Sequence, residues 1–272
     1  MNGISWALLG LGIGAIAFSA RWNWWRPRVE GLAVLMYHHL GSPPRDTRHS
    51  KLWVSVSDFR AQIIRLQADG WTPMLFSELA EALDGKRPLP KRPALITFDD
   101  GTADNYELAF PVLQELGIKA NIFVVCEGVD GHTHWENPEE KPWLRMLSWN
   151  QIESMRDSGL IEFGSHTMRH PDLNALPLED AQWEIAESKR RLEAKVGKDI
   201  IAFAYPFGSG AQSSSLRDAV RDAGYRFDFS IRQGISALPW EFSDGALKRL
   251  LVRRDDTSLD FQLNLTRGKA RL

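Results

Sequence analysis

The sequence of 272 residues has little cysteine, little net charge and no repeated segment, and each shortage excludes a class of protein. Its one cysteine, Cys126, excludes an internal disulfide and any metal site built from several thiolates. The formal net charge is only -2, so the chain has no overall positive field that would attract nucleic acid. A hydrophobic content of 43% with 25% charged residues is ordinary for a folded protein. We therefore expect a globular protein without nucleic acid as a partner.

Tryptophan is abundant, with 11 residues, and several lie beside an uncharged apolar run at the N-terminus. As a helix, Ile4–Ala20 would span about 26 Å, close to the thickness of a bilayer core. The following Arg21–Arg28 segment carries three tryptophans and three arginines, which are typical interfacial residues. No basic residue precedes the run, unlike in most signal peptides, although Ala15–Ala17 could be a cleavage site. We expect residues 1–28 to form a membrane anchor with its flank, and residues 29–272 to form the main domain.

Short apolar runs alternate with amphipathic helical patterns from residue 31 onward. The runs are Leu32–Tyr37, Ala94–Phe98, Ala120–Val125, Leu160–Phe163, Ile201–Tyr205, Phe227–Ile231 and Arg249–Val252. Helices are predicted between them: a capping box of Ser148 and Gln151 begins one, and Gly197 ends another. Continuous apolar strands separated by helices are typical of a parallel sheet covered by helices. Seven such strands favour an α/β fold with an incomplete or distorted (β/α)7-type barrel, preceded by the N-terminal hydrophobic helix.

Two predicted strands end in residues that can bind a metal ion. Thr97–Gly101 reads TFDDG, and a metal ion would relieve the repulsion between its adjacent carboxylates. The same Asp-Asp-Gly is also ordinary turn chemistry. His166 and His170 are four residues apart, so on one face of a helical turn they can share a cation. With Asp100 they give three ligands and an open position, which is typical of catalytic zinc and also suits iron(II).

Two further strand ends carry candidate functional residues. Met36–His39 reads MYHH, and a histidine there can act as a general acid, with His38 favoured over His39. Phe203–Gly208 reads FAYPFG, whose Phe207 N–H can point into a cleft, although an ordinary strand-to-loop junction explains this segment better when it is taken alone. The carboxyl ends of all strands lie on one face of a parallel βα barrel, where active sites form. We therefore expect these four segments to converge.

Together the motifs resemble those of the polysaccharide deacetylases, the NodB-homology group of carbohydrate esterase family four. TFDDG, the HxxxH pair at the end of Leu147–His170 and FAYPFG follow the family's order, and the resemblance covers about residues 31 to 256. The early LMYHHL segment resembles the histidine motif of the circularly permuted branch that includes poly-β-1,6-N-acetylglucosamine deacetylases. In that branch the motif lies at the start of the chain. The resemblance implies hydrolysis of N-acetyl groups on an N-acetylhexosamine polymer, with a poly-N-acetylglucosamine-like exopolysaccharide favoured over chitin or peptidoglycan.

The resemblance also implies roles for individual residues. Asp100, His166 and His170 match the family's ligands for a divalent metal ion, for which zinc is expected. Asp99 matches the general base. His38 matches the general acid of the permuted branch.

The third motif supplies the expected substrate-binding residues. Tyr205, Pro206 and Phe207 match the family segment, in which the N–H at the position of Phe207 completes an oxyanion hole. Many members have an arginine that orients the base where this chain has Ala204. We expect Arg249, at another strand end, to substitute for it.

Other interpretations remain open at the level of the sequence. An O-acetyl esterase acting on a decorated glycan would use the same metal site but would hydrolyse an ester bond instead of an amide bond. A membrane-tethered glycan-binding module would need neither Asp99 nor His38, and an iron oxygenase would need co-substrate residues that the sequence does not suggest.

The remaining expectations concern the substrate surface and the location of the domain. Trp135, Trp143 and Trp149 lie in or beside the irregular stretch His132–Leu147, which is a candidate platform for sugar rings, with local packing as the alternative. The arginines after the apolar run favour a cytoplasmic domain. A secreted polysaccharide substrate favours the outside of the membrane, which we expect.

Overall fold

The described part of the chain folds around a ring of parallel strands. The computed structural model describes residues 19–271 apart from 20, 46, 48, 136, 138, 140 and 141. The strands are β1 (Ala33–Tyr37), β2 (His39–Leu40), β3 (Trp53–Val54), β4 (Thr72–Pro73), β5 (Pro93–Phe98), β6 (Ala120–Val124), β7 (Ile161–Ser165), β8 (Ala202–Ala204), β9 (Phe227–Gln233) and β10 (Leu247–Leu251).

Helices on the outside of the ring connect most of the strands. They are α1 (Val56–Ala68), α2 (Phe76–Leu83), α3 (Phe110–Leu116), α4 (Trp149–Asp157), α5 (Leu178–Val196), α6 (Ser214–Asp222) and α7 (Ser258–Arg267). The predicted helix signals are confirmed: Ser148 and Gln151 exchange capping hydrogen bonds at the start of α4, and Gly197 ends α5 in the left-handed conformation.

Seven strands form the wall of the barrel in the order β1–β10–β9–β8–β7–β6–β5, and β1 pairs with β5 to close it. All of these pairings are parallel. The closing register runs from Ala33 opposite Ala94 to Tyr37 opposite Phe98. These strands are the seven predicted apolar runs, so the predicted α/β fold with a seven-stranded barrel is confirmed. The predicted N-terminal helix falls on Ile4–Ala20, of which only Ser19 is described.

The side chains of the barrel strands alternate between two hydrophobic layers. In β1, Ala33 and Leu35 pack in the outer layer beneath the helices, whereas Val34 packs in the inner layer with Phe123 and Phe229. Alternation follows from the period of two along a strand. Because both faces are covered, the strands are apolar throughout, which is why they were recognisable in the sequence.

The segment before β1 packs along α7. The Asn23 N–H donates to the Ala270 carbonyl at 2.7 Å, and the Val29 N–H donates to the Thr266 carbonyl at 3.0 Å. The Trp22 indole donates to Asp260 at 3.0 Å. Part of the expected membrane flank therefore contacts the folded domain. Among the described residues, we find no helix with the length and apolar character needed to span a membrane.

Candidate active site

Inward-facing residues of three neighbouring strands meet at the mouth of the barrel. Val34 faces the inner layer, so the alternation along β1 directs His38, just beyond its end, towards the same side. In β5, Leu95 also faces the inner layer. Asp99 lies four positions further along and just beyond the strand, so the same alternation directs it inward. Because β1 pairs with both β5 and β10, it brings Asp99 within reach of Arg249 in β10.

Arg249 and Asp99 form a buried ion pair with two parallel hydrogen bonds. Nη1 and Nη2 of Arg249 donate to the two carboxylate oxygens of Asp99 at 2.6 and 2.8 Å. The Nε of Arg249 donates to the Ser230 carbonyl at 2.9 Å, which fixes the plane of the guanidinium. Burial alone would raise the pKa of Asp99, but Arg249, followed by His166 and His38, outweighs it and lowers the pKa. Asp99 is therefore an oriented, ionised carboxylate.

Asp100, His166 and His170 form a compact cluster beside this pair. Their candidate ligand atoms all lie within 4.8 Å of one another, and all three residues are buried. The Nε2 atoms of His166 and His170 are 3.6 and 3.4 Å from Oδ1 of Asp100. Nδ1 of His166 lies 2.7 Å from the Ala204 carbonyl, which can only accept a hydrogen bond. Nδ1 therefore carries the proton, and the lone pair of Nε2 faces Asp100.

The donor set of this cluster fits a divalent metal ion. Burial, the largest effect, lowers the pKa of His166 to about 4, so its imidazole is neutral. Burial alone would raise the pKa of Asp100, but its hydrogen bond to His170 and the nearby histidines keep it well below the usual range. A neutral imidazole and an ionised carboxylate are the forms in which these side chain types bind a metal ion.

The prediction that the two histidines lie on a helical turn is wrong. Residues 166–170 form a loop rather than a helix, and Thr167 and His170 have positive φ angles of 70° and 63°. Asp100 and Phe207 have φ angles of 71° and 57°. Left-handed backbone is uncommon outside glycine, and where it persists the surrounding contacts impose it. The imidazoles therefore converge through tertiary contacts and not through helical periodicity.

The two neighbouring histidines at the end of β1 lie in different environments. Burial lowers the pKa of His38, and the charges of Asp99 and then Asp100 partly oppose that shift. His39 instead places Nδ1 3.1 Å from the Thr102 hydroxyl and packs its ring 4.7 Å from that of Trp53. His38 therefore interacts with the site, whereas His39 belongs to a separate buried network.

The FAYPFG segment places one aromatic ring at the site and one away from it. Phe207 is 61% exposed, and its ring meets His170 edge to face at 4.7 Å. Pro206 is buried before it. Tyr205 is fully buried, and its hydroxyl donates to Asp228 at 3.1 Å. Only the backbone atoms of Tyr205 are therefore available to contact a substrate.

The three tryptophans of the candidate sugar platform lie in different places. Trp135 stacks on the His170 ring at 4.8 Å, beside the candidate metal-binding cluster. Trp143 is exposed, and Trp149 starts α4 with the Lys195 ammonium 5.6 Å from its ring. Trp135 is thus the member of the three that contacts the site.

The structure also brings in residues that the site prediction did not include. Phe123 lies 5.6 Å beneath the Arg249 guanidinium, and Glu184 of α5 binds the loop between the two histidines. The signal available in the sequence was a carboxylate on the apolar face of the helix, where Glu184 lies beside Ala181 and Ile185. Phe123 carried no signal beyond that of an ordinary core residue.

The closed parallel barrel with carboxylates and histidines at its mouth defines an α/β barrel domain of the NodB type. IcaB from Ammonifex degensii has this fold: it matches 88% of this chain and 97% of its own with a TM-score of 0.70 and 27% identity. The sequence profile of the polysaccharide deacetylase family matches residues 86–227, which is more than half of the chain. The chain therefore belongs to the polysaccharide deacetylase family.

Curated relatives support the same assignment. YxkH of Bacillus subtilis is 29% identical over 206 residues, which are 76% of this chain and 66% of that protein. The poly-β-1,6-N-acetyl-D-glucosamine N-deacetylase of Staphylococcus epidermidis is 29% identical over 213 residues, which are 74% of this chain and 68% of that protein. The chain thus aligns with about two thirds of the length of each.

Proposed function

We propose that this polysaccharide deacetylase is a metal-dependent enzyme that hydrolyses N-acetyl groups of a poly-β-1,6-N-acetylglucosamine-like polymer. The observation that carries the proposal is the oriented carboxylate of Asp99 immediately beside the Asp100–His166–His170 cluster. The name of the Staphylococcus epidermidis relative supports the linkage and the bond. The domain itself, residues 29–272, would be the catalytic unit.

In this proposal Asp100, His166 and His170 hold a divalent ion, for which zinc is the expected metal. When bound there, such an ion would acidify a water molecule and polarise the acetyl carbonyl. Asp99 accepts the proton of the attacking water, because it is ionised and cannot turn away from its two bonds to Arg249. In this assignment the general base, Asp99, is not one of the metal ligands.

Two further groups act on the charges that develop in the reaction. The Phe207 N–H is proposed to donate to the oxyanion, an interaction worth about 10²–10³ in rate in other hydrolases. His38 gives a proton to the departing amine, which would otherwise leave as an amide anion. Burial lowers the pKa of His38, and the carboxylates of Asp99 and Asp100 partly oppose that shift towards the protonated form that this donation needs.

Acetate release from defined substrates tests the proposal. We expect purified protein to release acetate from β-1,6-linked N-acetylglucosamine oligomers. A chelator should abolish this activity, and added Zn²⁺ should restore it. Chitin oligomers and O-acetylated xylan serve as comparison substrates, and the Asp99→Asn variant controls for contaminating deacetylases. Preference for chitin would refute the linkage, preference for xylan would refute the bond, and full activity after chelation would refute the metal dependence.

His38→Ala is expected to separate amide from ester hydrolysis. Its kcat on N-acetyl substrates should fall about 10²–10⁴-fold, the usual contribution of a general acid. Hydrolysis of an aryl acetate should fall much less, because a phenolate leaves without prior protonation. The matched control is His39→Ala, which disturbs the neighbouring network without changing the ratio of the two rates. An equal loss on both substrates in His38→Ala would argue against its role as the acid.

A further inference from the structure

A buried carboxylate from outside the ligand cluster holds the loop between the two histidines. Glu184 of α5 is 1% exposed. Its Oε2 accepts hydrogen bonds from the N–H groups of Met168 at 2.9 Å and Arg169 at 3.0 Å, and its Oε1 accepts one from Nε of Arg169 at 2.8 Å. Burying a carboxylate is unfavourable unless hydrogen bonds replace the lost water. Here all three of these hydrogen bonds come from the three residues that separate His166 from His170.

The opposite side of the same loop is fixed by backbone bonds from the turn after β6. The N–H groups of Cys126 and Glu127 donate to the carbonyls of Thr167 and Met168 at 3.1 and 2.9 Å. Within the loop, the His170 N–H donates to the Thr167 hydroxyl at 2.9 Å. The loop is therefore clamped from two sides, with its carbonyls bound by the β6 turn and its N–H groups bound by α5.

The clamp explains how two left-handed residues persist so close together. Thr167 and His170 both have positive φ, a conformation that non-glycine residues leave when contacts allow it. Glu184 binds the two N–H groups that lie between them. Without its carboxylate those N–H groups lose their partners, and the loop can relax towards ordinary backbone angles. Relaxation would separate the imidazoles, whose centroids are 4.8 Å apart.

We infer that Glu184 is a positioning residue for the metal centre, which it supports by holding the His166–His170 loop in its ligating conformation. The inference rests on the proposed function, because it takes Asp100 and the two histidines as the ligands. Glu184 is not a member of the Asp100–His166–His170 cluster. Its removal therefore acts first on metal affinity and only through that on turnover.

Cobalt binding tests this inference, because Co²⁺ reports both affinity and geometry. Glu184→Ala is expected to weaken Co²⁺ binding about 10- to 100-fold, the usual effect of losing an outer-shell partner, and to alter the visible spectrum of the bound ion. Glu184→Gln keeps an oxygen for the N–H groups, so it should weaken binding less. The matched control is Glu187→Gln on the same helix, whose carboxylate bonds to Arg190 and Arg191 at the surface. Affinity is measured by competition with a chromophoric chelator, alongside thermal unfolding of the metal-free proteins.

The outcomes distinguish the inference from the function on which it rests. If the unsubstituted protein does not bind Co²⁺, the proposed metal centre is wrong and the inference falls with it. If it binds Co²⁺ and Glu184→Ala binds equally tightly with the same spectrum, only the inference is wrong. If Glu184→Ala does not fold, Glu184→Gln decides, and unchanged affinity there overturns the inference. Recovery of kcat in Glu184→Ala at saturating Co²⁺ would support a role in affinity rather than in chemistry.

Discussion

An Asp99→Asn variant is expected to lose turnover and keep its metal ion, whereas a His170→Ala variant is expected to lose both. Asp99 binds Arg249 with both oxygens and lies outside the Asp100–His166–His170 cluster. An amide cannot accept the proton of water, so kcat should fall by about 10²–10⁴-fold. Removing the His170 imidazole takes away one of three ligands. The measurements are metal content after dialysis and the rate of acetate release.

A surface histidine provides the control for this comparison. His49 is exposed, so His49→Ala should retain both metal and activity. Circular dichroism of each variant separates loss of function from loss of fold. Equal metal loss in Asp99→Asn and His170→Ala would contradict the separation of base from ligands. Retained turnover in Asp99→Asn would show that another group accepts the proton.

Arg249→Ala is expected to damage both stability and catalysis. The substitution leaves the buried Asp99 carboxylate without its partner, and breaking a buried ion pair in this way typically lowers the free energy of unfolding by about 3–5 kcal/mol. Arg249→Lys keeps one charge but loses the paired bonds, so its stability should be intermediate while kcat still falls. Chemical denaturation and acetate release at saturating metal measure the two effects.

A double variant separates the two effects of Arg249. Combining Arg249→Met with Asp99→Asn removes both charges, so much of the lost stability should return while activity stays absent. If Arg249→Lys folds and turns over at the original rate, Arg249 does not orient the base. If the double variant is as unstable as Arg249→Ala alone, the instability comes from packing around the side chain and not from the unpaired carboxylate.

The barrel could be predicted from the sequence because its strands are buried on both faces. Such strands are continuous apolar runs, and a polar residue directly after one, such as Asp99 after Phe98, marks the position where the strand leaves the core. Seven runs predicted the number of strands in the barrel wall. The direct pairing of β1 with β5 carries no local pattern, because it joins residues about sixty positions apart.

The parts of the site that could not be predicted depend on contacts between distant elements. The interval from His166 to His170 suggested a helix, and a helix would also have brought the rings together. The loop is instead shaped by Glu184 and by the turn at Cys126, neither of which is its neighbour in sequence. Left-handed angles at non-glycine residues leave no mark in the sequence. Residue types at strand ends therefore predicted which side chains would meet, but not the backbone that makes them meet.

The pairing of β1 with both β10 and β5 has a consequence for chain connectivity. β10 is the last strand of the described chain and β1 the first, yet they are neighbours, and Trp22 and Arg271 form an antiparallel bridge beside α7. A cyclised backbone cut between other neighbouring strands would retain every strand pairing that defines the barrel mouth. His38 would then follow Arg249 in chain order and still lie beside Asp99. The arrangement of these three side chains is thus a property of the ring and does not depend on the strand at which the polypeptide starts.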